Sequence, residues 1–128
     1  MPEYPDARET IAAAMSEDEL QVAVDGRLRD YGWLSYHTRR SDKSPEGFPD
    51  VCAVRTGQLL FAELKIELPD PCTPAQRLKL SPTAAQERWL LALGVVEHES
   101  CRASGAIVRV YLWRPKDLLD GTIDEVLR

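Results

Sequence analysis

Apolar residues recur at helical spacing in two main stretches of this chain and at strand spacing in four others. Ser16-Glu17-Asp18-Glu19 is a capping box, with serine as N-cap and glutamate at N3, and it predicts a helix running to about Tyr31, where Gly32 ends it. At about 100° per residue, Leu20, Val24, Leu28 and Tyr31 share one stripe of that helix. Leu34 to Thr38 reads as a first strand, and Arg39 to Phe48, polar and charged, as a loop. Val51 to Arg55 and Leu59 to Ile66 form a hairpin around Thr56-Gly57. Glu67 to Leu80 carries three prolines and reads as a long loop, with a turn of helix at Pro74 to Arg77. Ser81 as N-cap, Pro82 at N1 and Gly94 after the last apolar residue delimit a second helix. Ala106 to Trp113 is the last strand, and a capping box at Thr122-Ile123-Asp124-Glu125 opens a terminal helix to Arg128. The resulting order, α-β-β-β-α-β-α, predicts an α/β domain with a mixed sheet of about four strands flanked by helices. Residues 1–15 form a tail or loose helix before a single domain over 16–128.

Composition adds little that changes this picture. A length of 128 residues with 44% apolar and 29% charged residues is that of one ordinary globular domain. There is no membrane-length apolar run and no signal-peptide pattern, so the expected location is the cytoplasm and no membrane partner is expected. Cys52, Cys72 and Cys101 are odd in number and widely spaced, which argues against a disulfide framework and against a zinc site. The net charge of −5 argues against non-specific coating of nucleic acid but leaves local phosphate grips open. The chain has no Gly-rich phosphate loop, hence no expected nucleotide cofactor, and no Ser or Cys nucleophile motif.

The chemistry concentrates on the hairpin. A turn at Thr56-Gly57 pairs Arg55 with Gln58 and, counted outward, brings Asp50 opposite Glu63, with Cβ atoms about 4.5–5.5 Å apart. Glu63 and Lys65, two apart on a strand, share a face. Facing carboxylates repel unless a cation lies between them, and Mg²⁺ is commonly held by one or two carboxylates with phosphate oxygens and water. The pattern therefore points to metal-dependent phosphoryl transfer. Polar residues on apolar helix faces aim at the same place. Glu17 and Gln21 fall on the stripe of Leu20 and Val24, and Gln86 shares a face with Trp89, Leu90 and Leu93. Glu17 also has a plainer reading, as a first-turn acid favoured by the helix dipole, and Gln86 as a satisfied core amide.

Over about residues 16 to 117 the chain resembles the VRR-NUC branch, the virus-type replication-repair nucleases, of the PD-(D/E)xK nuclease superfamily. The resemblance is carried by Ser16-Glu17-Asp18-Glu19-Leu20-Gln21, Gly32-Trp33, Gly47-Phe48-Pro49-Asp50, Phe61-Ala62-Glu63-Leu64-Lys65, Leu80-Ser81-Pro82, Gln86-Glu87-Arg88-Trp89-Leu90 and Val110 to Pro115. It implies a restriction-endonuclease-like core and a structure-specific DNA endonuclease acting on branched DNA, four-way junctions above all, as a homodimer. Flap or nicking cleavage with the same site, or a non-catalytic DNA-binding module on the same fold, are the alternatives. By the resemblance, Asp50, Glu63 and the backbone carbonyl of Leu64 hold one or two Mg²⁺ or Mn²⁺ ions, with Glu17 at a second ion or a metal water. Lys65 orients the attacking water or stabilises the phosphate, and Gln86 is the second-helix glutamine. The chain departs from the family pattern twice: Thr83, Ala84 and Ala85 separate Ser81-Pro82 from Gln86, which leaves Gln76 as an alternate, and the loop from Glu67 to Leu80 is longer than usual. By its distance to Gly32, Gln21 is an alternate for Glu17. Arg39, Arg40 and Lys43 before Asp50, and Arg77 and Lys79 after Lys65, are the candidate DNA contacts.

Overall fold

The computed structural model describes residues 6–38, 46–102 and 105–128. Its elements in chain order are α1 (Ala7–Ala14), α2 (Glu17–Asp30), β1 (Leu34–His37), β2 (Val51–Arg55), β3 (Gln58–Leu64), α3 (Pro74–Lys79), α4 (Ala84–Arg102), β4 (Ile107–Trp113), α5 (Pro115–Leu119) and α6 (Thr122–Leu127). The four strands form one mixed sheet in the order β1-β2-β3-β4. β1, β2 and β3 are antiparallel neighbours, while β4 returns parallel to β3 after the α3–α4 crossover. This is the expected α/β sheet with helices on both faces; α1, α3 and α5 are additional to the expected order, two of them where only a loose helix or a turn was anticipated. None of the described helices is long and apolar enough to cross a membrane.

Alternation along the strands divides the molecule into two layers. Val51, Ala53, Leu60, Ala62, Leu64 and Trp113 point to one face and pack with Leu20, Val24 and Leu28 of α2 and with Leu118, Ile123 and Leu127 of α5 and α6. The α2 capping box forms as expected, Ser16 Oγ accepting from Glu19 N and Glu19 Oε1 from Ser16 N, both at 3.1 Å. Arg55 closes this layer: its guanidinium lies 4.5 Å from the Trp33 ring centroid and donates to the carbonyls of Tyr31 and Leu127. Glu63 and Phe61 point the other way, toward α4.

Three expected helix boundaries move. α4 begins at Ala84 rather than Pro82, because Thr83 and not Ser81 exchanges capping hydrogen bonds; the Ser81 hydroxyl instead donates to the Arg77 carbonyl and finishes α3. Nor does α4 stop at Gly94. It continues to Arg102 because Glu97 and Ser100 accept from the backbone N–H groups of Val110 and Val108, at 2.7 and 3.0 Å, along the free edge of β4. The N-cap of α6 is Gly121, in the left-handed region at φ +87°, one residue before the expected Thr122. Asp120 takes the Thr122 N–H at 2.9 Å and turns the chain early.

Candidate metal and phosphate site

The register around Thr56-Gly57 is the one the two-residue turn dictates: Arg55 faces Gln58 and Val51 faces Ala62, so the next step outward sets Asp50 against Glu63. Asp50 lies just before β2 and is held from several sides. Its Oδ2 accepts from Leu64 N at 2.8 Å, its carbonyl accepts from Thr38 N at 2.8 Å, and the Thr38 hydroxyl donates to the Pro49 carbonyl at 2.8 Å. The preceding Gly47-Phe48 is locked onto α4. Gly47 adopts φ +86°, and a Cβ there would collide with the Ala85 carbonyl and the Gln86 nitrogen. Phe48 makes edge contacts with Trp89 at 5.0 Å and Phe61 at 6.1 Å between centroids, and Trp89 Nε1 donates to the Glu46 carbonyl.

Glu63 is the buried charged residue of the described chain, with 1% of its surface exposed. Oε1 accepts from Gln86 Nε2 at 2.8 Å and lies 4.0 Å from Lys65 Nζ. Oε2 is buried with no hydrogen-bond partner. Burial pushes the Glu63 pKa up to about 8, reinforced by the nearby Asp50 charge; Lys65 pulls it down and Glu17 adds a further push upward. A buried carboxylate with an orphaned oxygen beside a second carboxylate is costly unless a proton or cation neutralises it. Oxygen donors in this arrangement suit a hard divalent ion. Among the described residues no three His, Cys, Asp or Glu side chains converge as a metal cage. An ion held by Asp50 and Glu63 would thus draw its remaining ligands from backbone carbonyl, water or phosphate.

Asp50, Glu63, Lys65 and Gln86 come together; the other sequence candidates divide. Glu17 is exposed rather than buried, since the first turn of α2 overhangs the core and Leu20 is the first buried residue, yet its charge still reaches Glu63. Gln21 is turned away, donating to Asp25 Oδ1 at 3.0 Å. Gln76 is exposed in the capping box of α3 with Thr73. Arg77 and Lys79 are exposed on α3, whereas Arg39, Arg40 and Lys43 lie outside the described residues. Sequence reasoning missed Thr83 and Arg114. Thr83 is discoverable from its Thr-x-x-Gln spacing to Gln86. Arg114 donates to the carbonyls of Ile66 and Leu80, at 2.6 and 3.2 Å, and no local pattern marks it.

No family model and no curated protein matches this chain. Among solved structures the chain is similar to one described as a VRR_NUC domain, with 24% identity, coverage of 87% of this chain and 97% of that chain, and a TM-score of 0.46.

Proposed function

We propose that this protein is a divalent-metal-dependent, structure-specific DNA endonuclease that hydrolyses phosphodiester bonds in branched DNA, with four-way junctions as the substrate. The observation that supports this reading is the buried Glu63 carboxylate, facing Asp50 with Oε2 unpartnered and Lys65 alongside. Asp50, Glu63 and the Leu64 carbonyl would hold Mg²⁺ or Mn²⁺, which supplies charge neutralisation on the phosphate and a water of lowered pKa. Lys65, half-buried on the Glu63 face, positions the attacking water or the phosphate oxygens, because positioning and charge stabilisation dominate such chemistry. Glu17 stands at the rim, where it holds a metal water or a second ion. Gln86 orients Glu63, and Arg77 and Lys79 grip phosphates beside the site.

The protein acts as a homodimer in this proposal, since two sites related by a two-fold axis suit a four-way junction. Exposed Leu91 and Val95 on α4 and Leu34, Tyr36 and Val54 on the uncovered half of the sheet supply apolar surface for such a contact.

The test is cleavage of labelled four-way junction, flap, nicked duplex and plain duplex with Mg²⁺, Mn²⁺ or chelator, using wild type and Glu63→Ala. Metal-dependent symmetric cuts in the junction, lost in the variant, are expected. Cleavage of flap or nicked DNA alone would keep the mechanism and change the substrate. Binding without cleavage of any substrate would replace the enzyme with a DNA-binding module.

A further inference from the structure

The chain contains two Thr-x-x-Gln segments ten positions apart, Thr73-Pro74-Ala75-Gln76 and Thr83-Ala84-Ala85-Gln86, and both close as capping boxes. Their internal geometry is nearly the same. Thr73 N donates to Gln76 Oε1 at 2.9 Å and Gln76 N to Thr73 Oγ1 at 3.2 Å; the corresponding distances for Thr83 and Gln86 are 2.8 and 3.2 Å. The difference lies in what the glutamine does with the other end of its amide. Gln76 is exposed on a helix that buries no residue. Gln86 points its Nε2 at Oε1 of the buried Glu63, at 2.8 Å.

An amide can present either a donor or an acceptor to its neighbour, and an acceptor facing a carboxylate would be repulsive. The Thr83 N–H decides the matter by occupying Gln86 Oε1, which leaves only the NH₂ end for Glu63. Glu63 Oε1 is thereby engaged, while Oε2 stays without a partner. The same helical turn is referenced to the second acid. Gly47, three positions before Asp50, lies so close to Ala85 and the Gln86 nitrogen that no side chain fits between them. One turn of α4 therefore fixes Glu63 through Gln86 and the approach to Asp50 through Gly47.

We propose that Thr83 is a positioning residue for Glu63: by locking the Gln86 amide it reserves Oε2 for a divalent cation. This rests on the reading of Asp50 and Glu63 as a metal site. The Thr83 hydroxyl holds the cap conformation that aims its own N–H, so serine preserves the arrangement and alanine loosens it.

The experiment titrates Mn²⁺ into the full chain by calorimetry, for wild type, Thr83→Ala, Thr83→Ser and Thr73→Ala, with thermal midpoints recorded in parallel. Removing an outer partner of a metal ligand weakens affinity by about 10–100-fold, and Thr83→Ala, which loosens such a partner without deleting it, is expected to weaken Mn²⁺ binding by about tenfold. Thr83→Ser should return affinity to within about twofold of wild type, and Thr73→Ala should lower the midpoint as a lost cap does, with affinity unchanged. In cleavage, the Mn²⁺ concentration for half-maximal rate should rise for Thr83→Ala while KM for DNA holds. Wild-type Mn²⁺ affinity in Thr83→Ala, with a stability loss like that of Thr73→Ala, overturns this proposal alone. Wild-type protein that takes up no Mn²⁺ overturns the metal reading and the proposal together.

Discussion

At the scale of single residues, Glu63 sets the terms for its neighbours. The folded state holds its proton up to a pKa of about 8, against an ordinary value of 4.5. Between those values the folded chain binds more protons at this position than the unfolded chain, so this contribution to stability falls as pH rises and levels off above about 8. Metal-free protein should accordingly show a thermal midpoint that declines from pH 5 to pH 8, and Glu63→Gln should remove that part of the decline, as scanning calorimetry at several pH values would reveal. Gly47 makes the opposite kind of demand, steric rather than electrostatic. Gly47→Ala places a Cβ against the Ala85 and Gln86 backbone at a positive φ, and a loss of about 1–3 kcal/mol is expected in urea unfolding. Cleavage should suffer too, because the displaced backbone leads straight into Asp50.

At the scale of elements, α4 separates what local signals can say from what they cannot. Gly94 meets nothing within 4 Å of where a Cβ would be and does not adopt a positive φ, so it neither ends the helix nor serves a close approach. Gly94→Ala should raise stability by about 0.5–1 kcal/mol, measurable as a higher urea midpoint at unchanged slope. A glycine after an apolar run looks like a stop in the sequence, but Glu97 and Ser100 reach β4 and carry the helix on; such long-range hydrogen bonds leave no periodic trace. The hairpin was legible for the converse reason. A two-residue turn fixes the register outright, and with it the opposition of Asp50 and Glu63. The site was readable as far as residues share a strand or a helix face. Glu17 was placed on the apolar stripe by angle but is exposed, because angle alone cannot tell where along its axis the helix leaves the core.

At the scale of the whole molecule, the two edges of the sheet differ. The β4 edge is closed by side chains of α4, while β1 is short and carries Leu34 at 80% and Tyr36 at 62% exposure. Together with Leu91 and Val95 this is the surface expected to meet a second copy. Sedimentation velocity should find wild type above monomer mass and Leu91→Lys with Val95→Lys shifted toward monomer; a monomeric wild type would remove the dimer from the proposed function. A different consequence comes from Arg114. Its guanidinium joins the carbonyls of Ile66 and Leu80, and Glu67 Oε1 accepts from the Lys116 N–H at 2.7 Å, so the stretch containing α3 is tied to the fold close to its two ends. The exposed part beyond these ties, α3 with Arg77 and Lys79 included, buries no residue and can be replaced, shortened or exchanged with little disturbance to Glu63, Lys65 or Gln86. The fold thus offers an interchangeable cassette beside a fixed carboxylate centre, in which the surface chemistry can diverge while the arrangement of Glu63, Lys65 and Gln86 is kept intact.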